Sequence, residues 1–333
     1  MSRGPLQFVV ERGYAAAMRS RTIRNGIYGT YNKKAFTDVF EHEKMLADHI
    51  RVDAYAAALD RLVGPDDVVV DLGTGTGILA MLAARRARRV YAIDHSPFIE
   101  VAERAAAHNG LTNITFLQQH SSEFDPPEPV DVVVHEQMGD ELLNENMLEN
   151  LLDLRRRVMA PGGRILPARF ALYVEPVALQ EDQQTPFLWE MAPHGLDFGF
   201  LRGDPSLTEN TRRSYGWRRI PTGGVSHLLG VPEPVVTFDI DTLVDIDEVR
   251  RDVTFDRTVV QGGWLDGLCV WFTAEFGEGV SLSTSPLEPR TSWTNRLVRT
   301  PRRKVEAGET IRYRVRVDDL VRPRTWTMAL VDA

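Results

Sequence analysis

The chain has 333 residues, 43% hydrophobic and 26% charged, with a net charge of −8. That length suits two compact domains rather than one small core. No apolar run approaches the roughly 18 residues of a membrane span, and the acidic balance argues against a nucleic-acid partner and for a cationic or neutral substrate.

The single cysteine, Cys269, excludes a disulfide framework and a CxxC metal site, and no metal is expected. It lies in the apolar run Leu268-Cys269-Val270-Trp271-Phe272 and reads as a core residue. The N-terminus, Met1-Ser2-Arg3-Gly4-Pro5, has no apolar signal core, so a cytoplasmic location is expected. Lysine occurs only at Lys33, Lys34, Lys44 and Lys304, and arginine supplies the other basic residues. Such a skew is usual in GC-rich genomes and points to a bacterial host.

In chain order, residues 1–30 are polar and Arg-rich and read as a partly ordered arm. Residues 42–62 read as one helix, with Leu46, Ile50, Ala54, Ala57 and Ala58 at helical spacing. Val68-Val69-Val70 is a short apolar strand leading through a glycine turn into a helix from Ile78 to Arg85. Val90 to Ile93 is a second strand, followed by a helix over 98–109. Ile114 to Leu117 and Val130 to Val134 are two more strands. Short apolar strands alternating with helices predict a parallel sheet covered on both faces. The style changes near Pro161-Gly162-Gly163. After Pro167 the pattern is alternating strand, as in Ala171-Tyr173-Glu175, Val235-Thr237-Asp239 and Ile311-Tyr313-Val315-Val317, which predicts antiparallel β structure. Residues 190–232 form a long irregular stretch, and a connection of that length is usually functional.

Asp71-Leu72-Gly73-Thr74-Gly75-Thr76-Gly77 follows a strand and opens a helix. Glycines there let the backbone turn sharply and approach a ligand closely. Such turns serve dinucleotides and S-adenosylmethionine alike, and the D-x-G-x-G-x-G spacing tilts toward the methyl donor. Asp94 ends the next strand, 21 residues after Gly73, where an acid can accept both ribose hydroxyls. A plain structural turn with Asp94 as a helix cap is the competing reading.

After the fourth strand comes His135-Glu136-Gln137-Met138-Gly139-Asp140-Glu141-Leu142-Leu143-Asn144-Glu145-Asn146-Met147. Glu136 and Glu145 are nine residues apart, which on one helix, at about 100° per residue, or on one strand puts them on opposite faces. They converge only if the chain doubles back, and Gly139 offers a place to turn. Two facing carboxylates suit a guanidinium, a planar cation with five donors in a fork. The same spacing also fits a solvated acidic loop.

At these residues the sequence resembles the protein arginine methyltransferase family, class I enzymes using S-adenosylmethionine. Asp71 to Gly77 is similar to its cofactor loop, and Glu136-Gln137-Met138-Gly139 through Glu145-Asn146-Met147 resembles its double-glutamate hairpin, E-x-M-G-x5-E-x-M. His42-Glu43-Lys44-Met45-Leu46, with Asp48 and Arg51, resembles the helix covering the cofactor. Phe187-Leu188-Trp189-Glu190 and Ser283-Thr284-Ser285-Pro286 resemble landmarks of its β-barrel. The resemblance implies a Rossmann-like domain over residues 31–166, then a β-barrel substrate domain over 167–333 carrying a dimerisation arm near 193–225. Leu196, Phe198, Phe200, Leu201, Tyr215 and Trp217 of that arm would dock on a second copy, making a homodimer.

For the site, the resemblance implies that His42, Met45, Arg51, Asp71, Gly73, Gly75, Asp94, Ser121, Ser122 and Glu136 hold S-adenosylmethionine. Arg51 would meet the methionine carboxylate, and Met45 would border the methyl group. Glu136 and Glu145 would be catalytic, with Phe36, Met147, Ser292 and Trp293 at the acceptor. Three departures stand out. The Y-F-x-x-Y helix reads Asn32-Lys33-Lys34-Ala35-Phe36, the T-H-W loop reads Thr291-Ser292-Trp293, and the adenine-facing glutamate is Ser122 with Glu123 one place along. They open the acceptor to free arginine or a small guanidino metabolite as well as a protein, and leave a non-guanidino amine as a further alternative. Loss of catalysis with retention of the fold is disfavoured, since two facing carboxylates are costly without a cation.

Overall fold

A computed structural model describes residues 38–204 and 217–331. The first half is a five-stranded parallel sheet made of β1 (Val68–Leu72), β2 (Arg89–Asp94), β3 (Ile114–Gln118), β4 (Val130–His135) and β5 (Met159–Leu166), in the order β3-β2-β1-β4-β5. All of β1 is buried, as a strand covered on both faces requires. From β1 the chain winds outward to β2 and β3 on one side, then to β4 and β5 on the other. The reversal lies between β1 and β4, and the crevice beyond their carboxyl ends is where such sheets bind ligands. The glycine turn leaves β1 there and the double-glutamate segment leaves β4, so topology alone brings the two motifs together.

The helices follow the expected alternation, with one correction. The single helix expected over 42–62 is two, α1 (Val39–Leu46) and α2 (His49–Leu62). Asp48 divides them because its Oδ1 accepts the backbone N–H of Arg51 at 3.0 Å, capping a new helix. An apolar periodicity running through both segments conceals the break. The helices after β1 and β2 are α3 (Ile78–Ala84) and α4 (Ile99–His108). A further helix, α5 (Met147–Arg157), and β5 itself escape the pattern reading. Pro161-Gly162-Gly163, taken as a change of style, lies within β5, which pairs parallel to β4.

From residue 169 onward all strand pairing is antiparallel, in two sheets. The longer is centred on β11 (Gly263–Gly277), flanked by β6 (Arg169–Leu179) and β13 (Asn295–Val305), with β7 (Trp217–Ile220) beyond β13, β8 (Val225–Leu228) and β9 (Val236–Asp239) paired to β6, and β12 (Val280–Ser283) paired to β11. The shorter contains β10 (Arg251–Thr258) and β14 (Thr310–Val317). Cys269 is buried on β11 as expected, and burial pushes its thiol pKa up. Of the expected arm, residues 205–216 lie outside the described residues, as do residues 1–30 and Phe36. The described parts include Leu196 and Phe200, both well exposed, and Trp217, which instead sits in β7 edge-on to Trp326. Among the described residues no helix is long and apolar enough to cross a membrane.

The two antiparallel sheets are tied by a buried ion pair. Arg257 on β10 forks onto both oxygens of Glu175 on β6, at 2.9–3.0 Å, and neither side chain is more than 5% exposed. Removing Glu175 leaves the buried Arg257 with only the exposed Glu233 at 3.3 Å as a counter-charge among the described residues. Glu175→Ala is therefore expected to lower the unfolding free energy by about 3–5 kcal/mol, read as a shift of the urea midpoint.

Candidate active site

A cavity of about 470 Å³ opens at the switch point, lined by side chains from α1, α2, the glycine turn, the end of β2, the double-glutamate segment and α5. Gly73, Gly75 and Gly77 all have positive φ, the region in which residues with a Cβ are strained. At Gly75 a Cβ would also lie 3.2 Å from the His42 ring, which covers the turn and stacks on Phe98 at 3.8 Å. The turn is thus kept bare on the side facing the cavity.

Asp71 and Asp94, both expected at the cofactor, have different places. Asp94 lines the cavity at the end of β2, its carboxylate accepting the N–H groups of Gly75 and Ser96 at 2.8 Å each. Asp71 is wholly buried and does not line the cavity. One of its oxygens accepts from the Thr74 hydroxyl and the Ala80 N–H, so it braces the turn from beneath. Burial lifts its pKa to about 7. Ser121 and Ser122 line the far end. Arg157 at the end of α5 holds that rim by donating to the carbonyls of Ser121 and Phe124 at 2.9 and 2.8 Å.

Beyond β4 the chain does double back. Gly139 and Leu142 form an isolated antiparallel bridge, with the Leu142 N–H donating to the Gly139 carbonyl at 2.9 Å. A Cβ at Gly139 would overlap the Asn144 side-chain amide, which would have to move aside to admit a larger residue. Glu136 and Glu145, at its two ends, both line the cavity. Arg51 of α2 pairs with Glu136 at 2.7 Å, both side chains about nine-tenths buried. Tyr55, one turn further along α2, fixes the end of β4 by donating to the His135 carbonyl at 2.7 Å.

The two glutamates are electrostatically unequal. Burial raises the pKa of both. For Glu136 the Arg51 charge opposes that rise, whereas Glu145 is pushed to about 8, by burial first and by the Glu136 charge next. At its double-glutamate end the cavity thus sets two carboxylates against one guanidinium among the described residues, and one further cation would balance them.

The remaining expected residues stand behind the hairpin. Met147 is fully buried in the core at the start of α5 and does not line the cavity, because the first turn of that helix faces it inward. Trp293 donates from Nε1 to the Met138 carbonyl at 2.6 Å, and the Ser292 N–H donates to Asp48 at 2.5 Å. Both brace the site and neither lines the cavity. Sequence reading missed Gln137 and a polar stripe on and just before α5, Asn146, Glu149, Asn150 and Asp153, all lining the cavity. Their i, i+3, i+4, i+7 spacing was a usable signal, since it marks one helix face. Gln137 lies beside Gly73 and accepts from Asn150 at 3.2 Å.

A donor set of bare glycine turn, strand-end carboxylate and buried guanidinium fits S-adenosylmethionine. Asp94 can take ribose hydroxyls, and Arg51 has donors left beyond its bond to Glu136.

Residues 69–163 match the family described as a methyltransferase domain. Protein arginine N-methyltransferase 6 of Xenopus tropicalis is 32% identical over 281 residues, 80% of this chain and 79% of its own. Protein arginine N-methyltransferase 1 of Schizosaccharomyces pombe is 30% identical over 285 residues, 81% and 79%. The Trypanosoma brucei PRMT1 enzyme-prozyme heterotetrameric complex with AdoHcy contains a chain that superposes with a TM-score of 0.76 at 27% identity, covering 88% of this chain and 93% of that one. Arabidopsis thaliana protein arginine methyltransferase 10, at TM-score 0.71 and 23% identity, covers 85% and 89% and shares the fold. The carboxylate pair at the switch point and these relatives agree: the chain belongs to the protein arginine N-methyltransferase family, class I enzymes that take their methyl group from S-adenosylmethionine.

Proposed function

We propose that the enzyme methylates a guanidino nitrogen of arginine or an arginine-like small molecule. The observation that carries this reading is the charge imbalance at the double-glutamate end of the cavity, where Glu136 and Glu145 face Arg51 as the one cation among the described residues. A guanidinium completes that balance and offers each carboxylate a different N–H. When bound, S-adenosylmethionine supplies an electrophilic methyl group on a sulfonium centre. The protein's part is to hold Asp94 at the ribose, Arg51 at the methionine carboxylate and the two glutamates on two nitrogens, leaving the third facing the methyl. This is positioning and electrostatics. With a pKa near 8, Glu145 is also matched to carry the proton the nitrogen sheds after transfer.

A protein arginine is the second reading, supported by the relatives, which are protein arginine N-methyltransferases. Labelled S-adenosylmethionine offered with free arginine, small guanidino compounds and an arginine-rich peptide separates the two. Methylation of non-guanidino amines alone would overturn both.

Glu136→Gln and Glu145→Gln keep shape and remove charge, and each is expected to slow turnover about 100-fold or more. S-adenosylhomocysteine should still bind Glu145→Gln. In the wild type the grip on a cation needs Glu145 ionised. Since burial raises its pKa, kcat/KM for the acceptor should climb as pH rises through about 8.

Asp94→Ala is expected to weaken S-adenosylhomocysteine binding by about 1–3 kcal/mol, since the ribose hydroxyls lose their acceptor. Unchanged affinity by calorimetry would remove Asp94 from the cofactor site.

The exposed side chains of Leu196 and Phe200, with Phe198 and Leu201 beside them, support an arm that docks on a second copy. Light scattering should give a dimer mass at micromolar concentration, and a monomer mass would rule the arm out.

A further inference from the structure

We infer that Arg296 is a positioning residue for methyl transfer: from β13 it holds Asp140 and Glu141 at the tip of the hairpin, and so fixes Glu136 and Glu145 at its two ends. The inference rests on the double-glutamate reading above.

The hairpin carries four carboxylates, at Glu136, Asp140, Glu141 and Glu145. Arg51 answers the first. The second and third are answered from the antiparallel half, across 156 residues of sequence. Arg296 donates from Nη2 to Asp140 at 2.9 Å, while its Nε stands 2.7 Å from Glu141. The Nε–H has no hydrogen-bond partner, so charge rather than a directed hydrogen bond carries the second contact. Arg296 is 20% exposed, and Asp140 and Glu141 are 17% and 8% exposed, so solvent screens these contacts only partly. Arg219 on β7 stands 3.6 Å from Asp140 but is 68% exposed and contributes less.

Anchoring and charge balance are separable here. The Trp293 bond to the Met138 carbonyl and the Thr294 N–H on Asp140, at 2.8 Å, anchor the tip without any charge from β13. Arg296 adds the cation. The groups facing Glu145 are Glu136, Asp140 and Glu141 from its own segment and Arg51 from α2. Arg296 and Arg219 reach it through Asp140 and Glu141. Without Arg296, Glu141 loses its cation and Asp140 keeps only the exposed Arg219, so both charges bear more fully on Glu145. Its ionised form becomes harder to reach, and the hairpin ends lose the pull that sets their separation.

The test is Arg296→Gln beside Arg296→Lys, each assayed across pH with whichever acceptor the wild type methylates, so that a failure of the guanidino reading leaves the experiment intact. Arg296→Gln should lower kcat/KM about tenfold or more. It should also move the rise of kcat/KM toward higher pH by roughly half a unit to one unit. Arg296→Lys should restore most of the pH shift and only part of the rate, since it keeps the charge and loses the fork. S-adenosylhomocysteine affinity should stay within about twofold of wild type in both. A loss of rate with an unmoved pH profile, or equal loss in both variants, would reduce Arg296 to a prop for the fold and overturn the proposal. So would wild-type rates in Arg296→Gln.

Discussion

Arg51 and Glu136 meet at the point where the parallel sheet reverses direction, and the site is arranged around that contact. An ion pair removed from water must have each partner held in place, because a misaligned pair does not recover its desolvation cost. The chain holds both. Asp48 starts a new helix so that Arg51 falls one turn from its end, and Tyr55 pins the strand from which Glu136 emerges. With that pair fixed, Glu145 is the member of the glutamate pair left without an ion-pair partner among the described residues. The cavity's appetite for a guanidinium is what remains after this one pairing.

The antiparallel half takes part in the site although none of its described residues lines the cavity. The hairpin is closed by a single isolated bridge and would be weak alone. The ring N–H of Trp293, the main-chain N–H of Thr294 and the cation of Arg296 seat it from outside. The tether between Ser292 and Asp48 is made by a backbone N–H and is indifferent to the side chain at 292. The departure of the T-H-W motif to Thr291-Ser292-Trp293 therefore leaves this brace intact.

Much of this was legible from the chain. The glycine turn, the strand-end Asp94 and the need for a hairpin between Glu136 and Glu145 are short-range matters of periodicity, φ freedom and spacing. The α1–α2 break at Asp48 was hidden because apolar periodicity reports which face is buried and is silent on where a polar side chain caps or interrupts a helix. Helix α5 was not hidden in this way: Leu148, Leu151 and Leu152 are buried at helical spacing, so its pattern was there to be read. The placement of Asp71 beneath the turn and of Met147 in the core was hidden for a different reason. A motif letter marks a position in the chain, and the direction its side chain takes depends on what packs around it.

The sequence by itself determined the parallel sheet, the methyl-donor turn, the doubling back of the acidic segment and the family. The tertiary structure decided which carboxylates carry charge. Glu136 is matched by Arg51 from α2, Asp140 and Glu141 by Arg296 from β13, and Glu145 by none of them. Local patterns cannot encode that assignment. Backbone conformation is set by neighbours in the chain, whereas the ionisation of a carboxylate is set by desolvation and by charges within a few ångströms, whatever their separation in sequence.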